Sequence, residues 1–209
     1  FLPLNNTHIS RAEKTNYDYK KSIIALPKEI FKRKDFEKLA YTDLPLDLFF
    51  CGTLSEKRAQ FFSKHAAFFA NYKNIIHLPA LRAPLVIGES AVLDADLVNL
   101  IAANSRIMLN IHRDEMSYFE WHRVVLIGLA NQALVVTEPS FKVPALVPGE
   151  HYIEASLEEM PNIIRWYLED ERGREEAERI RAEGFKTLNQ HYNMQQIALA
   201  ALSLMEERC

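Results

Sequence analysis

The segment 106–140 reads RIMLNIHRDEMSYFEWHRVVLIGLANQALVVTEPS, and it decides the predicted fold of this chain. Residues 107–111 are an apolar run interrupted only by Asn110, which is typical of a strand buried on both faces of a sheet. A helical period of apolar residues begins after Ser117, and a second apolar run follows at 133–136. The segment therefore predicts a strand, a polar loop, a helix and a second strand, in that order.

Charged side chains follow these predicted strands at the points where the strands end. His112 comes directly after the first strand, and Glu138 comes just after the second. Ser117 and Glu120 have the spacing of a capping box, which places Glu120 and Arg123 in the first turns of the helix. Ligands of open parallel sheets bind outside the carboxyl ends of the strands. We therefore predict that the histidine, the arginine and the two glutamates face one crevice.

A second strand–loop–helix unit precedes this segment. The run LDLFFCG at 46–52 predicts a buried strand, and the periodicity that follows predicts a helix over 56–72. Ser55 is the predicted N-cap of this helix. The positive end of the helix dipole would then face the loop, where an anion is favoured.

The loop of this unit has the composition of a phosphate cradle. Gly52 would let the backbone approach a ligand, and Thr53 and Ser55 would add outward-pointing backbone groups. Lys57 or Arg58 would supply positive charge. The alternative is an ordinary turn followed by solvated helix residues, and the sequence leaves both interpretations open.

The rest of the chain alternates strands and helices, which favours parallel pairing with right-handed crossovers. The further predicted elements are strands at 75–79, 85–88 and 151–155, a helix at 95–104 capped by Asp94, and a helical region at 157–192 capped by Ser156 and relieved by Gly173 and Gly184. The predicted fold class is α/β, with a Rossmann-like parallel sheet flanked by helices over 46–192. Residues 1–45 are predicted as a lead-in with a helix at 27–39, and residues 193–209 as an amphipathic helix.

The composition is that of an ordinary globular protein, and it argues against several classes of protein. The 209 residues are 48% hydrophobic and 25% charged, and the formal net charge of -3 gives no basic surface for nucleic acid. The cysteines, Cys51 and Cys209, and the histidine spacing argue against a disulfide framework and a metal site. No apolar run approaches the roughly 18 residues that span a bilayer, so we expect a soluble cytoplasmic protein. Because the chain starts at Phe1 without an initiator Met, we expect a fragment or a processed piece.

Alternatives stay open for the residues of the predicted crevice. Glu120 and Arg123 form either an ion pair within the helix, worth about 0.2–0.5 kcal/mol, or ligands for sugar hydroxyls and phosphate oxygens. His112 is either a structural residue or a group that contacts a substrate hydroxyl. Glu138 either faces water or binds hydroxyls. No nucleophile elbow, Walker loop or GxGxxG motif is present, which argues against serine hydrolases, P-loop NTPases and dinucleotide oxidoreductases.

Taken together, these motifs resemble the donor-binding C-terminal half of GT-B glycosyltransferases, in particular the group 1, spore-maturation-protein-like bacterial enzymes. The resemblance covers about 46–192. It is carried by the strand entering the loop at 49–55, the strand end LNIH at 109–112, the Glu- and Arg-bearing helix that leads to VVTE at 135–138, and the closing helix that ends in His191 and Tyr192.

The resemblance implies a glycosyltransferase of bacterial polysaccharide biosynthesis that moves a sugar from a nucleotide-diphosphate sugar to a glycan or lipid-linked acceptor. It implies no tightly bound cofactor and no metal, and a separate N-terminal domain, absent here, that holds the acceptor. His112 and Glu120 are then expected as catalytic residues. The donor is expected to contact Gly52, Thr53, Ser55, Arg58, Arg123 and Glu138. Leu126 or Ile127 stands where many such enzymes carry a second carboxylate, so Glu120 or Glu138 is expected to take its place.

A non-catalytic Rossmann-like binding or assembly module is the second hypothesis. It would recruit a partner through the predicted tail helix at 194–207. Nucleotide binding separates the two hypotheses, because only the first requires a donor site.

Overall fold

The computed structural model describes residues 39–80, 93–116 and 118–192. Several predicted features lie outside these residues: the strand at 85–88, the helix at 27–39 apart from Leu39, the cap Ser117, and the tail helix at 194–207.

Five parallel strands form one sheet in the order β2-β1-β3-β4-β5 within the described segments. The strands are β1 (Leu46–Cys51), β2 (Asn74–His77), β3 (Ser105–Asn110), β4 (Leu134–Thr137) and β5 (Ile153–Glu154). Leu48 of β1 is in register with Ile107 of β3, and Asn110 of β3 with Thr137 of β4. The predicted α/β class with a Rossmann-like parallel sheet is confirmed.

Helices flank the sheet and connect its strands. They are α1 (Glu56–Lys64), α2 (Ala66–Phe69), α3 (Ala95–Ala103), a π helix (Trp121–Gly128) that runs into a 3-10 turn (Leu129–Asn131), α4 (Met160–Glu169) and α5 (Glu171–His191). The predicted caps of α1 and α3 are confirmed. The Ser55 side chain accepts from the Arg58 N–H at 3.4 Å, and Asp94 accepts from the Asp96 N–H at 2.8 Å.

Two predicted helices are broken in the structure. The helix predicted over 56–72 is interrupted at His65. The break brings the Phe69 ring to 5.3 Å from Phe62, whereas seven residues of a straight helix rise about 10 Å. The helix predicted over 157–192 is interrupted at Asp170, whose carboxylate accepts from the Gly173 N–H at 3.0 Å and caps α5. Ser156 caps the turn before α4, with its hydroxyl accepting from the Glu159 N–H at 3.3 Å.

The two glycines predicted to interrupt the helical pattern lie inside α5, where they allow close packing against neighbouring backbone. A Cβ at Gly173 would lie 2.1 Å from the Trp166 carbonyl oxygen. A Cβ at Gly184 would lie 2.5 Å from the His151 carbonyl oxygen. Each glycine therefore marks a point where α5 touches a neighbouring backbone.

The helix after β3 begins later than predicted. It starts at Trp121, and Glu120 stands just before it without capping it. The Glu120 carboxylate instead accepts from Arg123 Nη2 at 2.8 Å. The predicted capping box also requires Ser117, which lies outside the described residues, so the box itself stays a prediction.

Alternate strand residues face two separate cores, as the pleat requires. Phe50, Leu109 and Val136 pack with α1, α4 and α5 on one face. Phe49 and Met108 pack with the π helix and α3 on the other face. Burial on both faces explains the unbroken apolar runs of the sequence.

The strand order fixes where a crevice can form. β2 and β3 lie on opposite sides of β1, so the direction in which strands are added reverses between β1 and β3. In open α/β sheets a ligand crevice lies outside the carboxyl ends of the strands at such a switch point. The loops that follow β1 and β3 border this position.

Candidate functional site

The loop after β1 is held against β2 at the switch point. The Gly52 N–H donates to the His77 carbonyl at 3.0 Å, and the Leu54 N–H donates to the Pro79 carbonyl at 2.9 Å. These two groups of the predicted cradle are therefore bonded within the chain. Backbone contact with a ligand would fall to Thr53 and Ser55.

Arg58 joins the loops that follow β1 and β3. Its Nε and Nη2 donate to the Ile111 carbonyl at 3.0 and 2.8 Å, and its Nη1 donates to the Thr53 carbonyl at 2.8 Å. The guanidinium lies over the Phe50 ring, 5.5 Å from its centroid. Burial, together with the nearby charge of Arg123, lowers the pKa of Arg58 to about 10. Arg58 is thus a buried cation that shapes the crevice.

Arg123 projects from the π helix and is held by side chains. Its Nε donates to Asn110 Oδ1 at 2.8 Å, and its Nη2 donates to Glu120 Oε2 at 2.8 Å. The Asn110 amide in turn donates to Thr137 Oγ1 at 2.8 Å. The i,i+3 ion pair considered in the sequence is present, but it lies within a buried network that reaches β3 and β4.

The two arginines converge on Gly52. A Cβ at Gly52 would lie 3.0 Å from Arg58 Nη1 and 3.3 Å from Arg123 Nη1. Both side chains are buried, at 1% and 9% exposure, and Glu120 is paired with Arg123. Two buried cations beside one paired carboxylate leave net positive charge, which favours an anion in a crevice of low dielectric.

His112 lies beside this pair with one nitrogen unsatisfied. Its side chain is buried and stacks on the Tyr118 ring at 5.1 Å between centroids. Its Nε2 is buried and has no hydrogen-bond partner among the described residues. Burial lowers the pKa of His112 below its ordinary value, although the charge of Glu138 opposes this effect. Such an orphaned group needs a water or a ligand to satisfy it.

Glu138 emerges at the end of β4, as predicted, but both of its oxygens are bonded within the chain. Oε2 accepts from the His112 N–H at 2.7 Å, and Oε1 pairs with Lys57 Nζ at 2.8 Å. The structure thus brings the predicted site residues together at one edge of the sheet. Their individual roles stay predictions.

Sequence reasoning missed residues that build the site. Asn110 and Thr137 anchor Arg123, and Tyr118 carries the His112 ring. Asn110 carried a signal, because it is the polar residue in a strand otherwise buried and apolar. Thr137 and Tyr118 gave no signal, because their contacts depend on how the strands and the loop after β3 fold together.

A family model described as glycosyl transferase-like matches residues 57–203 of the chain. The chain belongs to this family. The resemblance predicted from the sequence is therefore confirmed at the level of GT-B glycosyltransferases, and the spore-maturation-like subtype stays a prediction. No curated protein matches the chain significantly in sequence.

Solved structures share the fold of this glycosyl transferase-like domain at low sequence identity. The C-terminal domain of LpcC, a group 1 glycosyl transferase from Francisella tularensis, is 10% identical with a TM-score of 0.55, over 81% of this chain and 100% of that domain. HepE from Anabaena, solved in complex with UDP and glucose, is 14% identical with a TM-score of 0.61, over 90% of this chain and 57% of HepE. An α1,3-fucosyltransferase is 7% identical with a TM-score of 0.50, over 79% of this chain and 47% of that enzyme. The chain thus spans about half the length of the two larger proteins.

A separate apolar cavity lies between α3 and the π helix of the glycosyl transferase-like domain. It has a volume of about 330 Å³ and is lined by residues that include Val98, His122 and Leu126. Leu126 was predicted to stand at one of the positions where many similar enzymes carry a second carboxylate. In the structure it lines this apolar cavity and not the crevice beside the two arginines. In the described ranges, no helix is long and apolar enough to cross a membrane, and no three metal-ligating side chains are grouped.

Proposed function

We propose that this glycosyl transferase-like domain binds the diphosphate of a nucleotide-sugar donor between the loops that follow β1 and β3. The observation that carries the proposal is the convergence of Arg58 and Arg123 on Gly52 at the switch point of the sheet. The absence of a side chain at Gly52 lets two guanidinium groups approach the loop backbone side by side. Guanidinium groups match phosphate oxygens in geometry and charge.

The two arginines have different roles in this proposal. Arg58 donates to backbone carbonyls of two loops, so it ties the loops together and adds positive charge. Arg123 is held by Asn110 and Glu120 through Nε and Nη2, and its Nη1 faces the Gly52 loop, so its guanidinium is the one that contacts the phosphates. When the sugar is transferred, negative charge grows on the leaving nucleoside diphosphate. Fixed positive charge stabilises that state without reorganisation.

Two polar groups would recognise the sugar. The buried Nε2 of His112 would hydrogen-bond a donor or acceptor hydroxyl, which would satisfy the nitrogen that the chain leaves without a partner. Glu120 would bind a sugar or ribose hydroxyl while it keeps Arg123 in place. These assignments retain His112 and Glu120 as the proposed catalytic residues.

The similar proteins support this proposal. HepE was solved with UDP and glucose, and its chain is nearly twice as long as the region matched here. We propose that a second domain outside this chain holds a glycan or lipid-linked acceptor, and that the enzyme acts in bacterial polysaccharide synthesis in the cytoplasm.

Thermal unfolding with added nucleotides tests the proposal. A ligand that binds the folded state stabilises it by RT ln(1 + [L]/Kd), about 2.7 kcal/mol at a hundredfold excess over Kd. We expect UDP, GDP or UDP-glucose to raise the Tm by roughly 5–10 °C at such an excess, because about 1 kcal/mol moves the Tm of a domain this size by roughly 2–4 °C. Uridine, which lacks phosphates, is the matched control and should have little effect. A flat response to every nucleotide would contradict the proposal and favour a non-catalytic assembly module.

A further inference from the structure

Lys57, which the sequence offered only as an alternative charge beside Arg58, has all of its donors engaged at the edge of the crevice. Its Nζ lies 2.8 Å from Glu138 Oε1 and 3.3 Å from Glu115 Oε2, and it donates to the Asp114 carbonyl at 3.1 Å. An ammonium group has three N–H donors, and these contacts account for all three. Burial lowers the pKa of Lys57, but the hydrogen bonds and charges of Glu138 and Glu115 together outweigh it and raise the pKa above its ordinary value. Lys57 is therefore a fixed cation that connects α1 with the loop after β3.

Glu138 extends this connection to His112. One carboxylate oxygen pairs with Lys57, and the other accepts from the His112 backbone N–H at 2.7 Å. The side chains of Lys57 and Glu138 are only 14% and 11% exposed, so water screens the pair weakly. Both carboxylate oxygens are engaged and the Glu138 side chain is only 11% exposed, so a sugar hydroxyl has little access to it. Removing one partner of a buried pair leaves an uncompensated charge, which is unfavourable.

The His112 residue is held from both sides as a result. Glu138 fixes its backbone, and Tyr118 stacks on its ring. Burial and then the neighbouring Glu120 carboxylate raise the pKa of Tyr118, and Glu120 is paired with Arg123. A continuous set of contacts thus runs from Lys57 to the arginine crevice and passes through the imidazole.

We propose that Lys57 and Glu138 are a positioning pair that holds His112 at the donor site, and that neither residue is a ligand for the donor. This inference rests on the proposed function, and it replaces the hydroxyl-binding role that the sequence suggested for Glu138. The pair fixes the imidazole with its buried nitrogen available to the substrate, because the opposite ends of the carboxylate are anchored on α1 and on the His112 backbone.

The charges around His112 give a direct spectroscopic test. Burial lowers the pKa of His112, and among the surrounding charges Glu138 and Glu120 raise it, whereas Lys57 and Arg123 lower it. In the intact chain, Lys57→Met should therefore raise the His112 pKa and Glu138→Gln should lower it. Lys57→Arg, which keeps the charge, should leave the value close to that of the wild type. Imidazole titration by NMR of ¹³C-labelled protein measures all three.

Calorimetry of UDP and UDP-glucose binding to the same variants separates positioning from ligation. Because no donor contact is removed, Lys57→Met and Glu138→Gln should each weaken affinity by less than about threefold, whereas loss of a direct ligand would exceed about tenfold. Lys186→Met is the matched control, since it removes a lysine from an exposed ion pair with Glu183. A tenfold loss of UDP-glucose affinity in Glu138→Gln, or a His112 pKa that moves in neither variant, would overturn the inference. If the wild type binds neither nucleotide, the proposed function fails, and the NMR titration still decides whether the pair positions His112.

Discussion

The loop after β3 and the loop before β5 each bury a histidine, and they treat it in opposite ways. His151, before β5, has both ring nitrogens bonded: Nδ1 accepts from the Val147 N–H at 2.9 Å, and Nε2 lies 3.1 Å from Thr187 Oγ1. His112, after β3, keeps a buried Nε2 without a partner among the described residues. The imidazole of His151 thus stabilises the fold through two hydrogen bonds, whereas that of His112 keeps one nitrogen for a ligand.

The surroundings of the two histidines match this difference. The loop before β5 is pressed against α5, where Gly184 lets the helix touch the His151 carbonyl. The loop after β3 is tied instead to Arg58 and Glu138, which border the proposed donor site. Burial alone does not reveal a functional residue, but burial with an unsatisfied polar atom beside converging charges does.

Filling the contact between α5 and the loop before β5 should give the largest loss of stability. Gly184→Ala puts a Cβ 2.5 Å from the His151 carbonyl oxygen and 2.9 Å from Leu129 Cδ2, so the helix or the loop must move. Overpacking of this kind costs up to about 3 kcal/mol. Urea unfolding measures the change, with Lys186→Ala on the exposed face of α5 as control. An unchanged midpoint would show that this loop is not tightly packed.

Replacing each histidine should separate stability from binding. His151→Ala removes the partners of Val147 and Thr187 and should lower the free energy of unfolding by about 1–3 kcal/mol, with UDP-glucose affinity intact. His112→Ala should lower the free energy of unfolding by less, because the His112 Nε2 has no partner among the described residues. It should weaken UDP-glucose binding, because we propose that this nitrogen contacts a substrate hydroxyl. Calorimetry and urea unfolding of both variants test this contrast. Equal effects of the two substitutions on affinity would remove the distinction between the loops.

Stability should decline in mild acid because both imidazoles are buried. Burial lowers the pKa of His151, and also that of His112, below the ordinary value of 6.5. As the pH falls below about 6.5, the unfolded state therefore binds protons before the folded state does. Each histidine then lowers the free energy of unfolding by up to about 1.4 kcal/mol per pH unit, until the pH reaches its folded-state pKa. Above pH 6.5 this contribution is fully present. Urea titrations from pH 7.5 to 5 measure the slope, which should flatten in His151→Gln; an identical slope would contradict a neutral His151.

The sequence predicted the sheet and the edge at which the candidate site residues meet, but not the bonding among these residues. Apolar runs ending in Gly52 and His112 were sufficient to locate strands and their carboxyl ends, because these depend on local pattern. The helix that starts at Trp121 was placed too early, and the Glu120–Arg123 ion pair lies at its start. The bonds of Lys57 with residues 114, 115 and 138 join distant segments, so no local pattern could indicate them.

Calorimetric titration of UDP into wild-type and Arg123→Ala protein tests the central claim most directly. Arg179→Ala is the matched control, because Arg179 pairs with Glu176 on the half-exposed face of α5, away from the crevice. If Arg58 and Arg123 form a diphosphate site, Arg123→Ala should raise the Kd by at least about tenfold, equivalent to about 1.4 kcal/mol, while Arg179→Ala binds like the wild type. Equal UDP affinity in all three folded proteins would contradict the account.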